Sequence, residues 1–378
     1  MCEEEVKEIL KRTREYTTKI LKTQAKTIDK EGYIPKEIIK YMGENALLGA
    51  IFPKEYGGLG FDALQYGELT EIIGKVCSST RTLLTVSTSL VGETILKLGS
   101  KEQKNKYLYD IARGNKIACF ALSESEAGSN AKGIKTRYEK KNDKFIINGD
   151  KKWISFAGIA DIFLVIARNE ENKVSAFILE KNMPGITVKP MNGLLGGRGS
   201  HVAEINFDNV EVLEENLLCI EGSGFSFVVN TALYYGRYSI AWAGLAIAQA
   251  GLEEMVSYSR KRKQFGKNIG EFQLIQGIIA DSLTKIHAAR ALCENIGRKR
   301  IEDDEEVVMQ TNIAKYFTST VAQEVATNTV QVLGGNGCYD KYPAERLYRE
   351  AKVLSIIEGS SQIQQIIIGK YGINKYKK

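Results

Sequence analysis

The chain has 378 residues, more than one core usually serves, and its 43% apolar and 26% charged composition excludes a disordered or fibrous protein. A net charge of +6 is too modest to mark a nucleic-acid binder, although it suits an acidic or phosphorylated ligand. The six cysteines (Cys2, Cys77, Cys119, Cys219, Cys293, Cys338) form no Cys-x-x-Cys pair, and the only histidines are His201 and His287, so no metal centre or thioredoxin-like motif is expected.

Met1-Cys2-Glu3-Glu4-Glu5 is acidic where a targeting segment would be basic and then apolar, so a cytoplasmic location is expected. Residues 1 to 115 read as a helical domain. Apolar periodicity runs over Glu3 to Lys30, Pro35 to Leu48, Leu64 to Val76, Thr80 to Leu98 and Lys101 to Arg113, with a glycine-rich break at Pro53 to Gly60.

Residues 116 to 222 change character, with short β-branched and aromatic runs alternating with Gly, Asn and Asp turns. Strands are expected at Phe145 to Ile147, Lys151 to Ser155, Ile162 to Ala167, Ser175 to Glu180, Ile186 to Pro190 and Ala203 to Phe207. Asn148-Gly149 predicts a hairpin turn between the first two, because a type I′ turn needs positive φ at both central positions. A middle domain of antiparallel strands follows.

Residues 223 to 378 return to long helical periods. Between Glu221 and Glu253 the only charge is Arg237, which splits the segment into runs shorter than the roughly 20 apolar residues that span a bilayer. A buried helix is expected there. The acidic run Glu302 to Glu306 suits a helix N-terminus. The fold class is α+β, an N-terminal helical domain, a middle antiparallel β domain and a C-terminal four-helix bundle.

Five segments carry chemical potential. Ile357-Glu358-Gly359-Ser360-Ser361-Gln362 sets one carboxylate among apolar and small residues. Its charged form is disfavoured there, which suits a general base; a helix cap assisted by Ser360 or Ser361 is the other reading. Leu122 to Asn130 is a loop of small and hydroxyl residues, either a solvated turn or a platform offering backbone amides to a flat ligand. Trp153-Ile154-Ser155 holds one of two tryptophans, which either fills the core or covers an aromatic cofactor.

Arg260 to Lys267 is a basic cluster followed by Gln273, either balancing a helix dipole or gripping phosphates. Gln331-Val332-Leu333-Gly334-Gly335-Asn336-Gly337 has more glycines than a simple C-cap requires, and such glycines let backbone amides approach an anion or a ring. No strand-glycine-helix nucleotide unit is present, so a dinucleotide would bind outside a Rossmann domain.

In this order the five segments resemble the acyl-CoA dehydrogenase superfamily over essentially the whole chain. The family's small-residue loop, Trp-Ile-Thr-like triplet, Arg-x-x-Phe-Gly with a later Gln, Gln-x-x-Gly-Gly-x-Gly and Glu-Gly-Thr-x-x-Gln are matched by Ser123 to Ser129, Trp153 to Ser155, Arg262 to Gly266 with Gln273, Gln331 to Gly337, and Glu358 to Gln362. The resemblance implies α,β-dehydrogenation of an acyl thioester with FAD as cofactor and Glu358 as catalytic base. It implies a flavin site made by Leu122, Ser123, Gly128, Ser129, Trp153, Ser155, Ser360 and Gln362. Arg262, Phe265, Gln273, Gln331, Gly334 and Gly335 would hold the rest of FAD, and Ser129, Tyr235, Arg237 and Gly359 would meet substrate.

A homotetramer, or a dimer, is implied, with electrons passing to an electron-transfer flavoprotein or to oxygen. Some members carry the base beside the arginine matched by Arg237, but Gly236 stands there. Ser125-Glu126 replaces the family's common Pro-Gly, while Leu195 to Ser200, the Tyr234 to Tyr238 cluster and Trp242 are similar to a branch acting on acyl or aminoacyl groups tethered to a carrier protein. An acyl-CoA and an acyl carrier protein thus both stand as expected thioesters. A catalytically silent binding protein and a flavin monooxygenase on this fold are the other readings.

Overall fold

The computed structural model describes residues 1–377. Helices α1 (Glu3–Tyr16) and α2 (Lys22–Glu31) form one rod through a π-helical turn at Thr17–Leu21, ended by Gly32 at φ 75°. Then come α3 (Lys36–Glu44) and α4 (Ala63–Gly74), the latter opened by a reciprocal cap between Asp62 and Gln65. A second rod is α5 (Ser78–Leu83), a fully buried π-helical segment Leu84–Gly92, and α6 (Glu93–Leu98). Ser100 caps α7 (Lys101–Ala112).

The middle sheet contains β1 (Ala118–Ala121), β2 (Arg137–Lys141), β3 (Lys144–Ile154), β4 (Ile162–Arg168), β5 (Val174–Glu180), β6 (Ile186–Pro190), β7 (Ala203–Leu213) and β8 (Leu217–Leu218). Its order is β6-β7-β3-β2-β4-β5-β8, with β1 paired to β4. Most ladders are antiparallel, but β1 runs parallel to β4, Ala118 opposite Ile162, and Arg137 of β2 bridges Arg168 in parallel.

The expected hairpin at Asn148-Gly149 is not formed. Lys144 to Ile154 is one strand, and the register against β7 slips between Ile147 and Gly149, which marks a bulge. Gly149 lies at φ 138°, and a Cβ there would stand 2.6 Å from Thr136 Cα. Glycine serves a close backbone approach rather than a turn. The hairpin instead turns at Asn142, whose φ is 54°, between β2 and β3.

The C-terminal domain has α8 (Asn230–Ser259), a hairpin of β9 (Lys263–Gln264) and β10 (Lys267–Asn268), α9 (Gln273–Ile301), α10 (Val307–Leu333), α11 (Ala344–Leu354) and α12 (Ser361–Lys375). Every residue from Tyr238 to Ala248 is buried, which explains the uncharged stretch, and no described helix is long and apolar enough to cross a membrane. Helices α8 and α10 approach closely because Gly244 faces Thr318, whose backbone would lie 2.7 Å from an added Cβ.

Candidate active site

The turn between α11 and α12 carries Glu358 at φ 56° and Gly359 at φ 88°. A non-glycine residue in the left-handed region is uncommon and persists where its surroundings hold it. Three side chains supply that hold through the turn's carbonyls. Arg237 Nε of α8 donates to Glu358 O at 3.0 Å, Gln364 Nε2 of α12 to the same oxygen at 3.3 Å, and Lys315 Nζ of α10 to Gly359 O at 2.7 Å. Arg237 is itself fixed by a 2.9 Å bond from Nη1 to Asn312 Oδ1.

Ser360, not Glu358, caps α12, its Oγ accepting from Ile363 N at 3.4 Å. The Glu358 carboxylate is therefore spared a capping role. Although the residue as a whole is half-buried, its Oε2 is out of water's reach and has no hydrogen-bond partner. Burial pushes its carboxyl up to about 7, against the pull of the Arg237, Lys315 and Arg81 charges. The carboxylate is poised to exchange a proton near neutrality.

The Leu122 to Asn130 loop joins β1 to β2 and is braced from beneath. Lys151, fully buried, donates from Nζ to Leu122 O at 3.0 Å and to Glu124 Oε1 at 2.7 Å. The same carboxylate takes Thr136 N at 3.0 Å and Thr136 Oγ1 at 2.7 Å. Lys152 N donates to Ser123 O at 2.9 Å, so the loop lies along β3 just before Trp153. Trp153 has φ 65° and is 54% exposed, which rules out a core role. Leu122 is buried, Ser123 and Ser155 half-buried, and Gly128 and Ser129 exposed.

A second cluster forms where α8, α9 and α10 end or begin. Arg262, Phe265, Gln273, Gly334 and Gly335 line one groove of about 820 Å³ with Tyr258 and Asn336. Phe265, at the β9–β10 turn, is 93% exposed. A Cβ at Gly334 or Gly335 would meet nothing within 4 Å, so their small size leaves backbone open to the groove rather than serving packing within the chain. Gln331 and Gln362 are exposed but are not among the groove's lining residues. Tyr235 is half-buried under Arg300, whose guanidinium carbon lies 4.1 Å from the Tyr234 ring centre and 5.1 Å from that of Tyr235.

Three acyl-CoA dehydrogenase domain models match in order: the N-terminal domain over residues 3–115, the middle domain over 119–210 and the C-terminal domain over 222–372. The chain belongs to the acyl-CoA dehydrogenase family. It is 39% identical to an acyl-CoA dehydrogenase of Bacillus subtilis (strain 168), over 96% of each chain. Butyryl-CoA dehydrogenase from Megasphaera elsdenii superposes with a TM-score of 0.94 at 34% identity, over 97% of this chain and 98% of that one. A chain in a structure described as the electron transferring flavoprotein of Acidaminococcus fermentans also gives 0.94, at 37% identity, over 100% and 99%.

The enzyme is an FAD-dependent acyl thioester dehydrogenase, and its residues fit the cofactor. The exposed indole of Trp153 and the braced loop beside it offer a ring-sized platform, and the open Gly334-Gly335 backbone with Arg262 offers donors for a phosphate-bearing chain. Sequence reasoning missed Lys315, Asn312, Gln364 and Arg81. A single lysine or arginine inside a helix looks like solvated surface, and no pattern distinguishes one that turns inward.

Proposed function

We propose that Glu358 is the base that removes the α-proton of an acyl-CoA thioester. The observation that carries this reading is the buried, unpartnered Oε2, held on a turn whose every support acts on backbone and leaves the carboxylate free. Bound FAD supplies the acceptor for the β-hydride. An α-proton beside a thioester is only weakly acidic, so the carbonyl oxygen needs a donor as it gains charge. The Glu358 N–H makes no hydrogen bond to another described residue and serves as that donor. Arg237 and Lys315 keep the turn rigid while their charges favour the ionised base.

Acyl-CoA as carrier is supported by the similarity to the butyryl-CoA enzyme, and an electron-transfer flavoprotein as acceptor by the likeness to the flavoprotein structure. A homo-oligomer is the further part of this reading. The groove around Gly334 and the loop at Leu122 to Ser129 share no lining residue, and Phe265 stands almost bare in the groove, an arrangement suited to completion by a second subunit. Ser129, Tyr235, Arg237 and Gly359 would border the thioester.

The test is Glu358→Gln in the FAD-loaded enzyme, followed by anaerobic flavin bleaching on adding an acyl-CoA. Turnover is expected to fall by ~10²–10⁴ with FAD still bound, the usual range for a lost general base. Near-normal bleaching by the variant would remove Glu358 from the role.

A further inference from the structure

Arg300, in the last turn of α9, turns inward instead of taking a surface partner. Its neighbour Lys299 pairs with Asp304 at 2.7 Å, whereas the Arg300 guanidinium carbon lies 4.1, 4.4 and 5.1 Å from the ring centres of Tyr234, Tyr238 and Tyr235 on α8. Stacking on ring faces favours the cation's charge but does not satisfy its N–H groups. Nη1 is out of water's reach and has no hydrogen-bond partner.

Glu93, in the first turn of α6, is the acid nearest this cluster. It is 5% exposed, and burial pushes its carboxyl up to about 7 while Arg300 and Ser89 pull it down. Burial, joined by the Glu93 charge, also raises the phenols of Tyr66 and Tyr235 to about 12, so the carboxyl lies close to both. Yet Glu93 and Arg300 stay beyond the 4.0 Å of an ion pair, and neither has another oppositely charged partner among the described residues. An acid and a cation withdrawn from water and left unpaired weaken the fold, and two apolar side chains of similar volume would make a more stable wall.

The two groups lie within reach of the base. Leu90, on the π-helical segment, and the Glu358 carboxylate both crowd the bare Cα of Gly236, and Tyr235 is its neighbour on α8. Glu93 follows Leu90 by three residues, a rise of about 4.5 Å, or about three single bonds. A short acyl chain whose α-carbon meets Glu358 thus carries its far end toward Glu93 and Arg300.

The chemistry of that end follows from the two groups together. A carboxylate there would sit against Glu93, an ammonium against Arg300, and an alkyl end would cover both without satisfying either. A hydroxyl has one hydrogen to donate and lone pairs that accept, which matches an acid oxygen on one side and the orphaned Nη1 on the other. We propose that Glu93 and Arg300 are specificity residues that hold a hydroxyl at the distal end of a short acyl group, so that the preferred substrate is the thioester of a terminally hydroxylated acid. The inference rests on Glu358 acting at the α-carbon.

The experiment compares 5-hydroxypentanoyl-CoA with hexanoyl-CoA, in which a methyl group replaces the hydroxyl, by anaerobic flavin reduction of the FAD-loaded enzyme. The wild type is expected to favour the hydroxyl substrate in kcat/KM by ~10²-fold, since a site built to hydrogen-bond a hydroxyl rejects the analogue lacking it. Glu93→Leu combined with Arg300→Met, which leaves neither charge behind, is expected to reverse that preference. Arg300→Met alone alters a half-buried side chain at a helix end, and is expected to cut the preference by ~10-fold, which keeps the proposal testable if the double variant does not fold. A wild type that is indifferent or favours hexanoyl-CoA, or a preference that Arg300→Met leaves unmoved, overturns the proposal. Binding read in the Glu358→Gln background, from perturbation of the bound flavin's spectrum, separates the two readings. Tighter binding of the hydroxyl substrate that depends on Arg300 upholds the proposal even if Glu358 proves not to be the base, and binding indifferent to Arg300→Met defeats it.

Discussion

The Glu358 carboxylate packs against the bare Cα of Gly236: a Cβ built on that glycine would stand 2.7 Å from Oε2 and 2.6 Å from Leu90 Cδ2. Gly236 therefore leaves the base its space on α8. Gly236→Ala is expected to displace the carboxylate by a fraction of an ångström to about an ångström, and misplacement on that scale lowers turnover by up to ~10²-fold. FAD content should stay unchanged, because Gly236 is remote from the Gly334 groove. Rapid-mixing measurement of flavin reduction alongside FAD stoichiometry checks both halves, and an unaffected rate would show that the carboxylate is not confined there.

The pH dependence follows from the same burial. Glu358 must be ionised to act, so the rate of flavin reduction should rise with pH through about 7, where burial has pushed its carboxyl. Stability runs the other way. Above its ordinary range the unfolded chain has lost the proton that folded Glu358 and Glu93 retain, so folding weakens as pH climbs from the usual carboxylate range toward about 7. Glu93→Gln removes one of these contributions and should flatten the decline. Denaturant midpoints measured between about pH 5 and 7 read the slope.

Lys151 and Glu124 form a buried pair at 2.7 Å under the Leu122 to Ser129 loop. Lys151→Met leaves a buried carboxylate without its cation and also strips Leu122 O of a donor. A loss of about 3–5 kcal/mol is expected, with weaker FAD retention as the loop loosens. The double variant Lys151→Met with Glu124→Gln should recover part of that stability, because no uncompensated charge remains. Thermal denaturation and FAD dissociation constants for the single and double variants measure the difference.

Much of this architecture could be read from the chain because its signals are local. Glu358 stood out as a lone carboxylate in an apolar stretch, and Gly334-Gly335 as glycines beyond what a helix end needs. Asn148-Gly149 misled because an Asn-Gly pair between apolar runs has the chemistry of a turn; only the pairing of β3 with β7 shows a bulge. Trp153 was ambiguous between core and cofactor cover until its positive φ turned the indole outward. Arg81 and Lys315 were not legible at all. Each is one basic residue inside a helical pattern; buried Arg81 donates to Thr82 and Thr85 of its own rod, and Lys315 to Gly359 O from more than forty residues away.

Lys315 offers the sharpest separation of structural from electrostatic work. Its Nζ holds Gly359 O at 2.7 Å, and burial lowers its pKa to about 8, with Glu358 opposing and Arg237 reinforcing that fall. Lys315→Met keeps most of the stem's packing but removes both the donor and the charge. Losing the donor should loosen the turn and reduce kcat by ~10–10²-fold, with less change in KM, since the thioester's CoA portion is bound elsewhere. Losing the charge should also raise the proton affinity of Glu358, because one of three cations that favour its ionised form is gone. The rise of activity with pH must then move to higher pH than in the wild type. A fall in kcat with an unmoved pH profile would mean that Lys315 supports the turn without tuning the base.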